Sequence, residues 1–121
     1  VATKLAGHPP HLLRLADGRL LSAYGRRTGD LGEFACLSDD DGRTWDVPHE
    51  IRLASVPAVS CWDMGYPASA QLADGTVLTV YYQPEAPDGL PVLMGTWWRS
   101  LPASGTGNGL PATEQKRERY K

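Results

Sequence analysis

One segment of the chain occurs twice, and this repeat limits the folds that the chain can adopt. The sequence LADGRLLSAYG, from Leu15 to Gly25, returns as LADGTVLTVYY, from Leu72 to Tyr82. In each copy an Asp-Gly dipeptide separates two short apolar runs, which is a strong signal for a β-hairpin. We predict a type I′ turn at both sites, with positive φ at the aspartate and at the glycine. The two copies therefore predict two equivalent hairpins.

Further strands are predicted after each hairpin. The first copy is followed by EFACLS, Glu33 to Ser38, and HEIRLA, His49 to Ala54, and the second by PVLMGTWWR, Pro91 to Arg99. No stretch outside the C-terminal tail shows helical periodicity, and 10 prolines with 13 glycines suit an all-β chain that is rich in turns. A repeat of this length with about four strands per unit is typical of a β-propeller blade.

Composition and charge exclude several classes of function. The formal net charge of the 121 residues is −2, with a mildly acidic body and a mildly basic tail after Leu101. Such a chain lacks the basic face that nucleic-acid binding requires, and no apolar run approaches the roughly 20 residues of a membrane-spanning helix. We therefore expect neither nucleic acid nor a membrane as a partner, and no metal or cofactor.

The cysteines and the N-terminus give little information on the compartment. Cys36 and Cys61 are the only cysteines and form no C-x-x-C pair, so we expect two free, buried thiols rather than a disulfide. The first residues show no signal-peptide pattern. Both a cytoplasmic and a secreted location stay open.

The octet SDDDGRTW, Ser38 to Trp45, has three possible interpretations: a calcium loop, a catalytic carboxylate pair or a turn. With Gly42 at the glycine position of an EF-hand, Leu37 and Pro48 fall on its first and last ligand positions, so that register fails. Consecutive aspartates point to opposite sides of the backbone, which disfavours a catalytic pair. We predict a turn held by serine and aspartate side chains, after which the threonine and the tryptophan begin the next strand.

The octet and the repeat together resemble the sialidase superfamily. The residues of the octet that match the Asp-box, or BNR repeat, are Ser38, Asp40, Gly42, Thr44 and Trp45. The stretches GHPPHLLRLADGRLL and WDMGYPASAQLADGTVLTVYY also resemble blades of bacterial BNR-repeat proteins of the exo-sialidase type. The similarity spans about residues 5–99. In this family the Asp-box is a structural element of the outer rim, between the third and fourth strands of a blade.

The resemblance implies a six-bladed propeller in which each blade has four antiparallel strands. This chain would supply about the last two blades. We expect a sialidase-like propeller fragment at residues 1–100, with blade one at about 5–56 and blade two at about 62–99, and a flexible tail at 101–121. Either missing blades or self-association would close the ring, because open sheet edges invite pairing with other chains.

The resemblance also implies a sugar site at the propeller axis. In sialidases a tyrosine activated by a glutamate is the nucleophile, an aspartate is the acid/base, and three arginines bind the sugar carboxylate. Tyr66 stands where the family carries its nucleophile, and His8 holds the equivalent place in the first copy of the repeat. The candidate catalytic residues are Tyr66, Asp63 and His8, and the candidate substrate-binding residues are Arg26, Arg27, Trp62 and His11.

Each candidate also has a purely structural interpretation. Tyr66 can pack its ring at a strand entry, the histidines can be hydrogen-bonded framework groups, the arginines can form a solvated rim, and Asp63 can stabilise a loop. We expect part of a sialidase-like glycoside hydrolase whose partner is a sialoside or another glycan, with the isolated chain inactive. The alternatives are a non-catalytic BNR-repeat propeller that binds glycans or proteins, and an inactive truncated fragment.

Overall fold

The structure is a computed structural model that describes residues 1–56, residues 63–100 and the backbone of residues 116–119. These residues form two antiparallel sheets and one short 3-10 turn at Val47–His49, which confirms the all-β prediction. Neither sheet closes on itself. The first sheet has the order β1 (Pro10–Arg14), β2 (Leu20–Arg26), β3 (Gly32–Ser38), β4 (Ile51–Ser55). The second has the order β5 (Gly65–Gln71), β6 (Val77–Pro84), β7 (Pro91–Trp98), β8 (Lys116–Arg119).

Both predicted hairpins are present, but their turns are not of type I′. Within these two turns only the glycines have positive φ, 92° at Gly18 and 86° at Gly75. A type I′ turn needs positive φ at the preceding aspartates as well. The amide of Gly18 donates to the carbonyl of Leu15 at 2.9 Å, and the second hairpin repeats this bond. This is the pattern of a longer hairpin loop with a glycine bulge. The aspartate instead accepts a bond from the amide two residues on, so it needs no left-handed backbone.

The octet forms a turn between β3 and β4. Asp40 accepts bonds from the Thr44 amide (2.8 Å), the Thr44 hydroxyl (2.6 Å) and the Ser38 hydroxyl (2.8 Å). The hydrogen bonds from Thr44 lower the pKa of Asp40 to about 2. Gly42 has a φ of 82°, which favours glycine. The prediction that Thr44 and Trp45 begin a strand is wrong, because the chain first makes the 3-10 turn and β4 begins at Ile51.

The segment assigned to a flexible tail contributes a strand. Residues 116–119 pair antiparallel with β7, with Met94 opposite Arg119 and Trp97 opposite Lys116. The sequence did not predict this strand because Lys-Arg-Glu-Arg has no apolar alternation. Charged residues are nevertheless common on edge strands, where they discourage pairing with other chains. The other residues of 101–121 lie outside the described part of the chain.

The two sheets pack through faces that are not equivalent in the repeat. Tyr81 of the second sheet lies in a buried cluster with Ala54 of the first. Its counterpart in the first copy, Tyr24, lies on the far side of the first sheet, in a cluster with Phe34 and Cys36. One sheet therefore presents its front to the back of the other. This is a heterologous contact, the kind that can continue from unit to unit.

Buried hydroxyl groups hold this inter-sheet core in register. Trp98, which is 1% exposed, donates from its indole nitrogen to the Thr79 hydroxyl at 3.0 Å. Thr79 also shares a bond of 2.9 Å with Ser69. Across the interface, the Thr96 hydroxyl donates to the carbonyl of Leu53. A large aromatic ring can therefore lie in the core without leaving its polar nitrogen unpaired.

The described residues include one buried free thiol, that of Cys36, as predicted, whereas Cys61 lies outside them. The same part of the chain holds no helix that could span a membrane.

The Thr79 hydroxyl offers a test of this core. We expect Thr79→Val to lower the free energy of unfolding by about 1–3 kcal/mol, because it leaves the buried Trp98 N–H without a partner. Urea unfolding followed by tryptophan fluorescence measures the change. Thr28→Val, at an exposed loop position, is the matched control and should stay within about 0.5 kcal/mol of the wild type. Equal losses in the two variants would contradict the assignment.

Candidate functional site

A close backbone contact joins the two sheets at the start of β5. Gly65 lies so near β2 that a Cβ atom added at Gly25 would be 3.0 Å from the Gly65 Cα atom. Gly65 also has a φ of 114°, a conformation that side-chain-bearing residues rarely adopt. The carbonyl of Gly25 accepts the His8 amide at 2.8 Å on its other side. These contacts bring His8 and the start of β5 to the same end of the molecule.

Tyr66 stands on this junction in an unusual conformation. It has a φ of 52° and lies in an irregularity of the β5–β6 register between Gly65 and Ala68. Such bulges re-aim a side chain, and they are common beside binding and catalytic sites. The residue is 60% exposed, and its ring stacks on that of Tyr82 with 5.7 Å between the ring centres. The bulge thus directs the Tyr66 side chain toward solvent, and the ring of Tyr82 packs against it.

Arg27 reaches across from the first sheet to Tyr66. Its Nε atom donates to the carbonyl of Met64 at 3.0 Å. The central carbon of its guanidinium lies 5.4 Å from the centre of the Tyr66 ring, within the range of a cation–π interaction. Met64 is fully buried and directly precedes β5, so this bond ties the arginine to the buried entry of that strand.

Asp63 interacts with the second tyrosine of the stack. The pKa of Tyr82 is raised by burial, by its hydrogen bond to Asp63 and by the charge of that carboxylate, while Arg27 lowers it. The Tyr82 phenol is therefore held protonated and can donate to Asp63. Arg27, Asp63, Tyr66 and Tyr82, together with the glutamate described next, are called the inter-sheet site below.

Glu33 is a buried carboxyl at this site. It is 0% exposed, and neither of its carboxyl oxygens has a hydrogen-bond partner among the described residues. Burial raises its pKa to about 8, and the positive charge of Arg27 opposes that rise. A carboxyl group with a pKa in this range can carry a proton at neutral pH, as an acid/base or a positioning group does.

Two of the candidate residues from the sequence, Arg26 and His11, make their contacts outside the inter-sheet site. Arg26 donates to Glu50 at 2.6 Å and lies over the Phe34 ring at 4.0 Å, on the face of the first sheet that carries Tyr24. His11 is half-buried between the sheets, where its Nδ1 atom accepts the Ser69 amide at 3.2 Å. Both contacts fit the structural interpretation of these residues.

The other candidates lie in or near the inter-sheet site, with one exception. Tyr66, Asp63 and Arg27 belong to it, and the exposed His8 adjoins it through the backbone of Gly25. Trp62 lies outside the described residues. The octet Ser38 to Trp45 begins at the end of β3 that is opposite to Glu33, so the length of that strand separates the octet from the site. Among the described residues, no group of histidine, cysteine and carboxylate side chains could hold a metal ion.

Sequence reasoning missed Glu33 and Tyr82. Glu33 was assigned from the sequence only to a strand. A single glutamate before the apolar run Phe-Ala-Cys-Leu is nevertheless unusual, because a glutamate is rarely buried. Tyr82 was assigned to the hairpin repeat. The available signal was that Tyr82 replaces Gly25 of the first copy, which indicates different surroundings at that position.

The site combines an exposed phenol, a guanidinium and carboxyl groups in two different environments. Arginine can bind a carboxylate with two parallel hydrogen bonds, and the stacked tyrosines offer a flat apolar surface to a sugar ring. The phenol can also act as a nucleophile if a base removes its proton. The arrangement can therefore hold an anionic group beside a flat apolar surface.

Comparison with known proteins gives one informative match. No protein-family profile and no curated protein matches the chain. A crystal structure of a protein of unknown function from Dyadobacter fermentans DSM 18053 is 35% identical, with a TM-score of 0.65. The match covers 78% of this chain and 25% of that protein, so this chain spans about a quarter of its length. A similar strand arrangement thus occurs within a larger protein.

The raised pKa of Glu33 makes the free energy of unfolding depend on pH. Because the folded state holds this proton more tightly than the unfolded chain does, its stabilising effect is complete below about pH 4.5 and is lost as the pH rises through about 8. We expect the free energy of unfolding to fall over this range by an amount on the order of 3 to 5 kcal/mol.

Urea unfolding at pH 5, 7 and 9 measures this effect. Glu33→Gln should flatten the profile and exceed the wild type in stability at pH 9, since the amide cannot ionise. Glu85→Gln, at an exposed position, should keep the wild-type profile. An unchanged profile in Glu33→Gln would show that another group causes the decline.

Proposed function

We propose that this chain is part of a sialidase-like glycoside hydrolase, to which it contributes two adjoining propeller blades and one wall of the sugar site. The observation that carries the proposal is the meeting of Arg27 and Tyr66 at the junction of the sheets. These residues come from different copies of the repeat, and they combine a carboxylate-binding group with an exposed phenol. The family resemblance had suggested Tyr66, and the position of Arg27 at the end of the first hairpin had suggested a contact with the sugar carboxylate.

The packing of the sheets supports the propeller architecture. Blades of a propeller stack front to back around an axis, and the two sheets here meet through non-equivalent faces. The outward face of the second sheet carries Leu78 and Val80, whose counterparts Leu21 and Ala23 are fully buried in the first sheet. On the same face Leu93 is 50% exposed. An apolar face of this kind fits a position next to a further sheet.

In the proposed reaction the Tyr66 phenol attacks the anomeric carbon of a terminal acidic sugar while the glycosidic bond breaks, and the aglycone leaves as an alcohol that carries the proton lost by the phenol. Water then cleaves the tyrosyl–sugar bond, which releases the sugar and restores the phenol. A neutral phenol avoids the repulsion that a carboxylate nucleophile would meet from the sugar carboxylate. Arg27 binds that carboxylate and holds the ring over the tyrosine stack. Asp63 lies in the same cluster and is the candidate acid/base, although in this structure its partner is Tyr82.

A non-catalytic glycan-binding propeller is the second candidate, and the tyrosine stack favours it. Tyr66 lies flat on Tyr82, with an angle of 23° between the ring planes. A supported, exposed aromatic surface binds sugar rings without any chemistry. In this case the tyrosine ring would be required but its hydroxyl would not.

Substitution of Tyr66 separates the two functions. If the propeller that contains this chain is catalytic, Tyr66→Phe in that complete propeller should reduce hydrolysis of a fluorogenic sialoside by about a thousandfold or more, since no covalent bond can form, while N-acetylneuraminic acid still binds. If the site only binds, the wild type should show no turnover, Tyr66→Phe should bind normally, and Tyr66→Ala should lose binding.

Arg27 provides a second test of the same site. Arg27→Ala should weaken binding of N-acetylneuraminic acid by about tenfold to a hundredfold, because a charged hydrogen-bond pair is lost. Arg43→Ala, at an exposed position in the Asp-box turn, is the matched control and should bind like the wild type. Saturation-transfer NMR and calorimetry measure binding in all variants. Absence of both turnover and binding in the complete wild-type propeller would refute both functions.

A further inference from the structure

Glu33 carries a polar group that the fold leaves unpaired. Both of its carboxyl oxygens are buried without a hydrogen-bond partner among the described residues. Leaving a polar group in this state costs free energy, and a well-packed apolar side chain would avoid that cost. The position of the carboxyl group indicates that it can act on Arg27.

Strand register places Glu33 beside Arg27. Glu33 is paired with Gly25 in the β2–β3 register, and Arg27 follows the end of β2, two residues after Gly25. Residues that are diagonal across an antiparallel pair come within reach of long side chains. In agreement with this placement, Arg27 is the charged group that lowers the pKa of Glu33 against the effect of burial.

Two glycines in close contact lie beside the carboxyl and the guanidinium. A Cβ atom added at Gly25 would lie 3.5 Å from Oε1 of Glu33, and one added at Gly65 would lie 3.5 Å from the Nη2 atom of Arg27. Glycine backbone is therefore next to each of the two groups. Because Glu33 is fully buried, its attraction to a nearby positive charge is stronger than it would be in water.

Arg27 has a second set of contacts on the outer side. There its Nε atom bonds to the Met64 carbonyl, and its guanidinium lies over Tyr66. The other titratable groups facing it are Tyr82 and Asp63, of which Asp63 is exposed and screened by water. An ionised Glu33 would draw the guanidinium inward, whereas a protonated Glu33 would leave it on the outer side.

We propose that Glu33 is a positioning residue that acts through Arg27, holding the guanidinium over Tyr66 when it is protonated and withdrawing it when it is ionised. The proposal rests on the proposed sugar site only in that Arg27 is the group facing the ligand. Because the pKa of Glu33 is about 8, the outer position of Arg27 prevails at neutral pH. Binding of a carboxylate ligand should then weaken as the pH rises above 8.

NMR of the full chain tests this coupling without any sugar. The Arg27 Nε–Hε resonance, assigned by its loss in Arg27→Lys, is followed from pH 6 to pH 10. We expect a shift with a midpoint near pH 8 that disappears in Glu33→Gln. Asp30→Asn removes an exposed carboxylate from the same β2–β3 connection and should keep the midpoint. The side-chain carboxyl carbon of Glu33, titrated in the wild type, should show the same midpoint and needs no variant.

The outcomes are distinct. A resonance of Arg27 that does not change between pH 6 and pH 10, or a midpoint that persists in Glu33→Gln, overturns the proposal. If Glu33→Gln fails to fold, different midpoints for Arg27 and the Glu33 carboxyl in the wild type overturn it as well. If the titration behaves as expected but no sialoside binds at any pH, the proposed function fails while the positioning role of Glu33 stands.

Discussion

The structure depends on the packing of one sheet against the back of the other. Tyr81, Trp98 and Thr79 of the second sheet fill the interface with the first, and their polar atoms are paired within it. This interface supplies the second sheet with a buried side, without which its apolar strands would be solvated on both faces. It also fixes the relative positions of Arg27 and Tyr66, because each is carried by a different sheet. The candidate site is thus a product of the packing.

Much of this fold could be predicted from local sequence signals. The repeated Asp-Gly dipeptides located both hairpins, and the octet Ser38 to Trp45 located the connection between β3 and β4. These signals are local because hairpin formation and side-chain capping involve residues that are close in the chain. The turn type was predicted incorrectly, since the Asp-Gly signature does not distinguish a two-residue loop from a longer one with a glycine bulge. β8 could not be predicted, since an edge strand need not show apolar alternation.

The site was less accessible to sequence reasoning. Tyr66, Asp63 and Arg27 were identified from resemblance, but their contacts depend on distances between sheets that no local pattern encodes. Glu33 has an ordinary position in a strand, and only the register with Gly25 and the absence of side chains at Gly25 and Gly65 reveal its relation to Arg27. Arg26 and Arg27 are neighbours in sequence, but their side chains contact different parts of the molecule. β2 ends at Arg26, whose side chain contacts Glu50 and Phe34, whereas the side chain of Arg27, the next residue, lies against Tyr66.

The use of non-equivalent faces has a consequence for how such a chain can change in length. When a unit with a front and a back is duplicated, the new copy already matches its predecessor, and the assembly presents the same two terminal surfaces as before. Tandem duplication of the gene segment therefore requires no simultaneous invention of a complementary surface. The side chains of one copy can then change while its sister retains the older set, as the exchange of Gly25 for Tyr82 between the two halves illustrates.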